Sequence, residues 1–175
     1  MIMASVASPG SAKGDNMSAD YNVRRFPSGI PGLGKREGGT AAFRLLEHTA
    51  DIGIEAQAAS CEELFVQAAK GLLAVLAGSG ETSGPVRDIT LEVNAGDVEE
   101  LLVVWLNELL YLIQTQVVWP LDIALIGMQS GSLTARLSLV PLSGDPQREI
   151  KAATYHHLLV NCRQGFWRAR VYLDL

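Results

Sequence analysis

The chain has two cysteines in 175 residues, Cys61 and Cys162. They form no CxxC or Cys/His spacing, which argues against a zinc site. Two cysteines also make no disulfide framework, so a reducing compartment fits. There is no uninterrupted apolar run of about twenty residues, as a membrane-spanning helix requires. The opening stretch from Met1 to Ser11 is broken by Ser, Pro and Gly and so lacks the apolar segment of a signal peptide. A cytoplasmic location with no membrane contact is the expectation. Basic residues are few: 14 Lys and Arg stand against 19 Asp and Glu, a net charge of −5. Such a chain has no basic footprint for nucleic acid, so direct sequence-specific binding is not expected. A role near RNA would have to run through a partner protein or a bound cation. No GxSxG is present and neither cysteine has an evident His partner, which leaves nucleophilic catalysis without support. No internal repeat is visible.

What is there divides unevenly. Residues 1–42 are rich in Gly, Ser, Ala and Pro, with five Lys/Arg against three Asp/Glu and no periodicity. They read as a poorly ordered tail, because such a segment buries too little apolar area to offset its ordering entropy. Met17 is an alternative start. Gly29 to Arg36 matches the first part of a phosphate-binding loop, but Arg36 stands where a Ser or Thr should hold magnesium, and no strand precedes it. Residues 43–175 carry nine Lys/Arg against sixteen Asp/Glu and read as one folded domain.

Within that domain, Phe43 to Leu46 and Ile52 to Ala56 alternate as strands around the polar connection His48 to Asp51. Ser60 and Glu63 form a capping box for a helix bearing Leu64, Phe65, Ala68, Leu72, Val75 and Leu76, with Gly78 and Gly80 as its stop. Asp88 to Val93 alternates as a strand. Asp97, with Glu100 three residues on, caps a second, very apolar helix centred on Trp105. From Leu121 the signal is β: 121–128, 133–139, 149–160 and 166–173, with a loop over 141–148. The pattern predicts an α+β fold, a mainly antiparallel or mixed β-sheet with two helices packed on one face in a single layered domain.

Three clusters carry polar groups the fold does not need. One is His48, Thr49 and Asp51. Another is Lys151, Thr154, Tyr155, His156 and His157, where the two adjacent histidines of a regular strand point to opposite faces. The third is Asp174-Leu175, where the sequence as given ends and a side-chain carboxylate adjoins the α-carboxylate. Adjacent carboxylates repel unless a positive group lies between them. Hard oxygen donors of this kind suit Ca²⁺, Mg²⁺ or Mn²⁺. If the last strand docks beside the first two, Asp51 and Asp174 can share one ion. The plainer reading of these residues is a turn at Thr49 and Asp51, and a solvated end near Arg168 or Arg170.

Five motifs taken together resemble the archease family. They are His48-Thr-Ala-Asp51-Ile-Gly53-Ile, Cys61-Glu-Glu-Leu-Phe65, Glu99 to Tyr111, Ile150-Lys-Ala-Ala-Thr-Tyr-His156, and Trp167 to Leu175. The resemblance spans about Phe43 to Leu175. It implies a non-enzymatic activator of an RtcB-type RNA ligase, which promotes guanylylation of the ligase histidine and multiple turnover in tRNA splicing and RNA repair. It also implies no catalytic residue, a divalent metal (Ca, Mg or Mn) on Asp51, Asp174 and an oxygen of Leu175, and Lys151 and His156 as contacts to the ligase or its nucleotide. His48 and Thr49 are then left to brace their loop. Two departures stand out. The segment 141–148 is shorter than the family's usual loop, and His157 occupies a position where an acidic residue is common. Rival readings are a metal-dependent hydrolase or nuclease, and a chaperone-like binding module using the apolar helix 98–113 as its surface.

Overall fold

A computed structural model describes residues 24–25, 41–47, 51–78, 81–143 and 149–175. The rest of the tail, including Met17 and the 29–36 segment, lies outside the described residues, as do His48, Thr49 and 144–148. In chain order the elements are β1 (Arg24–Arg25), β2 (Ala42–Glu47), β3 (Ile52–Ala58), α1 (Cys61–Leu76), β4 (Glu81–Thr82), β5 (Arg87–Asn94), α2 (Val98–Gln116), β6 (Val118–Gln129), β7 (Ser132–Ser143), β8 (Ala152–Arg163) and β9 (Phe166–Asp174).

The fold is α+β with every strand pair antiparallel, but the strands divide into two sheets. One has four strands in the order β2-β3-β9-β8. The other is built around β7, which pairs with β5 on one side and β6 on the other. The last residues of β7 pair with β4, which in turn pairs with β1. Both helices touch both sheets. α1 packs on β2, β3 and β9 and also meets β6, while α2 packs on β8 and meets β5 and β6. The helices therefore form a layer between the sheets, which explains why α2 buries a broad apolar arc and leaves one face, with Tyr111 and Gln114, exposed. Trp105 is fully buried at its centre, and its indole N–H donates to the Phe65 carbonyl at 3.2 Å, tying α2 to α1. The idea that helix 98–113 offers its apolar face as a docking surface does not hold: Leu101, Leu102, Leu106 and Leu109 are fully buried.

Local signals act as the sequence suggests at the helix starts. Glu63 N–H donates to Ser60 Oγ at 3.1 Å, and Glu100 N–H to Asp97 Oδ1 at 2.8 Å. Glu100 reaches back one residue further than a capping box requires, accepting from Gly96 N–H at 2.7 Å. α1 closes at the C-cap Ala77, whose N–H donates to the Leu73 carbonyl, with Gly78 the residue that follows; Gly80 lies outside the described residues. The 141–148 segment is not all loop either, because β7 runs on through Pro141 to Ser143 to meet β4. β6 begins at Val118 and carries two register shifts against β7, at Pro120/Asp122 and Leu125/Gly127. Leu121 and Ile126, the residues skipped there, are exposed.

Candidate functional site

On β3, Ile52, Ile54, Ala56 and Ala58 point into the core, and on β9 so do Ala169, Val171 and Leu173. The alternation of a strand then turns Asp51, Gly53 and Glu55, and Arg170, Tyr172 and Asp174, to the outer face. Register aligns them. Gly53 pairs with Tyr172 and Glu55 with Arg170. Ile52 pairs with Leu173 at the end of the ladder, and Asp51 and Asp174 lie one residue beyond that pair on the two strands. On the other side of β9, Ala152 pairs with Asp174 and Thr154 with Tyr172.

The end of this sheet therefore gathers residues from three distant parts of the chain. Lys151 N–H donates to the Asp174 carbonyl at 2.9 Å, and its ammonium donates to a Leu175 oxygen at 2.6 Å. Of the residues singled out from sequence, Asp51, Asp174, Leu175 and Lys151 are brought together here. His156 lies further along β8, on the same face.

Asp51, Asp174 and a Leu175 oxygen offer hard oxygen donors, the chemistry a divalent cation such as Ca²⁺, Mg²⁺ or Mn²⁺ would take. Among the described residues no group of three or more His, Cys, Asp and Glu side chains is placed to hold a metal. Asp51 and Asp174 would be two ligands, and a third would be a Leu175 oxygen, which here accepts from the Lys151 ammonium. It is the Lys151 ammonium that reaches the Leu175 oxygen, and of the two arginines that could neutralise this end, Arg170 is engaged elsewhere. Its Nε donates to Glu55 Oε1 at 2.9 Å, and Arg44 clasps the other carboxylate oxygen. Burial raises the Glu55 pKa, but the hydrogen bonds and charges of Arg170 and Arg44 outweigh it and hold the carboxyl below its ordinary 4.5.

The expectation that His156 and His157 face opposite sides is overturned. The ladder between β8 and β9 slips between Thr154 and Leu159, and His157 takes a left-handed backbone with φ of 51°. That bulge brings the imidazoles together, with ring centres 4.0 Å apart. Both lie edge-on to Tyr172, at 6.3 Å and 6.1 Å. Gly53 makes room beneath: a Cβ there would sit 3.0 Å from Tyr172 Cε1 and 3.1 Å from Leu46 Cβ. Sequence reasoning passed over Tyr172, although two-residue spacing puts it on the same face as Asp174. The bulge itself has no Gly or Pro to announce it.

Two antiparallel sheets enclosing a helical layer, with Asp51 and Asp174 at the end of the smaller sheet, define a class of small α+β protein. The chain belongs to the archease family: residues 43–175 match the model of the Archease protein family (MTH1598/TM1083). It is 34% identical to the protein archease of Methanosarcina mazei over 154 residues, 83% of this chain and all of that one. It is 33% identical to the protein archease of Pyrococcus furiosus, covering 74% of this chain and 95% of that one. In three dimensions it is similar to protein 1598 of Methanobacterium thermoautotrophicum, with a TM-score of 0.56 and 26% identity over 76% of this chain and 98% of that one. A Thermotoga maritima protein described as an archease and possible chaperone shares the fold, with a TM-score of 0.55 and 23% identity over 74% and 94% of the two chains. The family resemblance read from the five motifs is thereby borne out. Among the described residues no helix is long and apolar enough to cross a membrane.

Proposed function

We propose that this protein is a cytoplasmic, non-enzymatic activator of an RtcB-type RNA ligase in tRNA splicing or RNA repair. It meets the ligase transiently, promotes guanylylation of the ligase's histidine and supports repeated turnover. The observation that supports this reading is that β3 and β9 end their ladder at Ile52 and Leu173, next to Asp51 and Asp174, with Leu175 and Lys151 beside them, in a chain of the archease family. Asp51, Asp174 and a Leu175 oxygen would hold a divalent cation, Ca²⁺, Mg²⁺ or Mn²⁺. When bound, that cation supplies a fixed positive charge able to orient phosphate oxygens. Lys151 keeps the sheet end in shape through Leu175 and has further N–H groups to offer a partner. His156, exposed on the bulge, presents a ring to the same side. The protein has no need to grip RNA, in keeping with its net charge of −5.

The test is transfer of labelled GMP to a purified ligase with and without this protein. Wild type should accelerate it. Asp51→Asn and Asp174→Asn should abolish the acceleration while circular dichroism and melting stay as in wild type. Full acceleration by either variant, with cation binding retained, would sink the assignment. Hydrolysis of RNA or nucleotide by the protein alone would point to a nuclease instead.

A further inference from the structure

The activity proposed above uses neither cysteine, yet the fold brings Cys61 and Cys162 from distant parts of the chain to one place. Trp167 pairs with Ala58 on β3 and with Cys162 on β8, so the three form one row across the smaller sheet. Side chains directly opposite each other share a face. Ala58 is buried toward the helices and Trp167 packs against the same core, so Cys162 lies on the helix side of the sheet. Cys61 opens α1 only three residues after Ala58 and also packs against that core. α1 lies on β3 and β9, which sets its first turn over this row. The charges agree with that placement. Burial raises the Cys61 thiol most, followed by Glu62 and then Cys162 itself. This is the end of the sheet far from Asp51 and Asp174, so nothing here depends on the cation site.

From this juxtaposition we infer that Cys162 and Cys61 form a redox modification site for small disulfides such as glutathione disulfide, and that its product is an internal disulfide tying α1 to β8. Cys162 is exposed and Cys61 only partly so, which fixes the order of events. The Cys162 thiolate attacks one sulfur of glutathione disulfide. A bond from Cys162 to glutathione forms as the oxidant's S–S bond breaks, and one glutathione thiolate leaves. The Cys61 thiolate then attacks the Cys162 sulfur and expels the second glutathione. The protein gives up two electrons to the oxidant, and its two thiol protons pass through water to the departing glutathiones. Cys162 lies just before the hairpin turn at Gln164 and Gly165. A hairpin end yields more readily than the centre of a sheet, so the two sulfurs can close on each other. In a reducing compartment the pair rests as thiols, and oxidation sets the bond. Reopening it by attack on the exposed Cys162 sulfur must expel the Cys61 thiolate, a poor leaving group because its thiol lies at about 11. The bond is therefore a latch that is slow to release.

The experiment treats the reduced full-length protein with glutathione disulfide, quenches samples with iodoacetamide and follows the intact mass. Wild type should gain one glutathione at a rate proportional to the oxidant. It should then lose that glutathione at a rate independent of the oxidant, ending as a monomer short of two hydrogens. Peptide mapping should join Cys61 to Cys162. Cys61→Ser should stop at the stable glutathione adduct on Cys162. Cys162→Ser should take up glutathione at least about tenfold more slowly, because its remaining thiol is shielded and seldom ionised. The oxidised wild type should melt about 5 °C or more above the reduced form, since the bond closes a long loop of the unfolded chain, and excess dithiol should reverse the rise. Cys61→Ser should show no such rise. A glutathione adduct that persists on wild-type Cys162, dimers linked through Cys162, or an oxidised form melting at or below the reduced one would each overturn the inference.

Discussion

Asn107 of α2 bonds both backbone groups of Ala153 on β8. Its amide nitrogen donates to the Ala153 carbonyl at 3.1 Å, and its oxygen accepts the Ala153 N–H at 2.8 Å. β8 is the last strand of its sheet, so these groups would otherwise face no neighbour. One side chain supplies what an adjoining strand would. Along the same edge, Gln114 donates to the Ile150 carbonyl at 2.7 Å, and Glu99 accepts from Val160 N–H at 3.4 Å. Polar positions of α2 thus seal the strand that carries His156.

Asn107→Ala should therefore destabilise the fold by about 2 kcal/mol or more, since it strands a part-buried donor and acceptor together. Gln114→Ala removes one bond and should cost about 1 kcal/mol. Urea unfolding curves would give the ranking. A milder effect for Asn107→Ala than for Gln114→Ala would contradict the sealing role of the amide.

At Gly71, α1 packs tightly against Ile54 of β3. A Cβ there would fall 2.5 Å from Ile54 Cγ2, and Ile54 is fully buried. Gly71→Ala should cost about 1–3 kcal/mol from overpacking, despite the gain of up to about 1 kcal/mol in helix propensity. In an Ile54→Ala background the same change should cost much less, and a double-mutant cycle of melting temperatures would measure the coupling.

Glu55 sets part of the acid response. Its folded-state pKa lies below the ordinary 4.5. It therefore contributes stability that is present above that value and is lost as pH falls through the depressed one. The arginines are well exposed, so the contribution is on the order of 1 kcal/mol or less. Glu55→Gln should narrow the difference in unfolding free energy between pH 7 and pH 3. An unchanged difference would show the ion pairs to be inert.

The two thiols should react very differently. Burial, with added repulsion from Glu62 and Cys162, pushes the Cys61 thiol up to about 11. At pH 8 only about one Cys61 in a thousand is then thiolate, the reactive form. Cys162 is exposed. Labelling with a disulfide reagent at pH 8 should show one fast and one slow thiol, and Cys162→Ser should remove the fast phase. Two fast thiols would refute the shielding of Cys61.

The helices and most strands could be read from the chain because their signals are local. Ser60 and Asp97 each sit one residue before a 3.6-residue pattern, and β9 alternates cleanly from Trp167 to Leu173. Asp51 and Asp174 could be paired on paper once β9 was placed beside β3. Three things could not be read. Nothing near Tyr155 to Leu158 marks a bulge, since the slip answers to packing across β8 and β9. Nothing in Asn107 says which strand its amide will reach. The division into two sheets follows from both faces of the helical layer being apolar, and periodicity in one segment does not report its partner.

β6 has a consequence for solubility. Among the described residues it pairs with β7 alone, and from Ile123 to Met128 it carries no charge. A flat strand of that composition at a sheet edge is a template for adding further chains end over end. The two slips at Leu121 and Ile126 spoil the template, because a second copy could not lay down an unbroken run of hydrogen bonds against it. Deleting Ile126 would straighten the ladder, and such a variant should form fibres at concentrations where the parent chain remains dissolved.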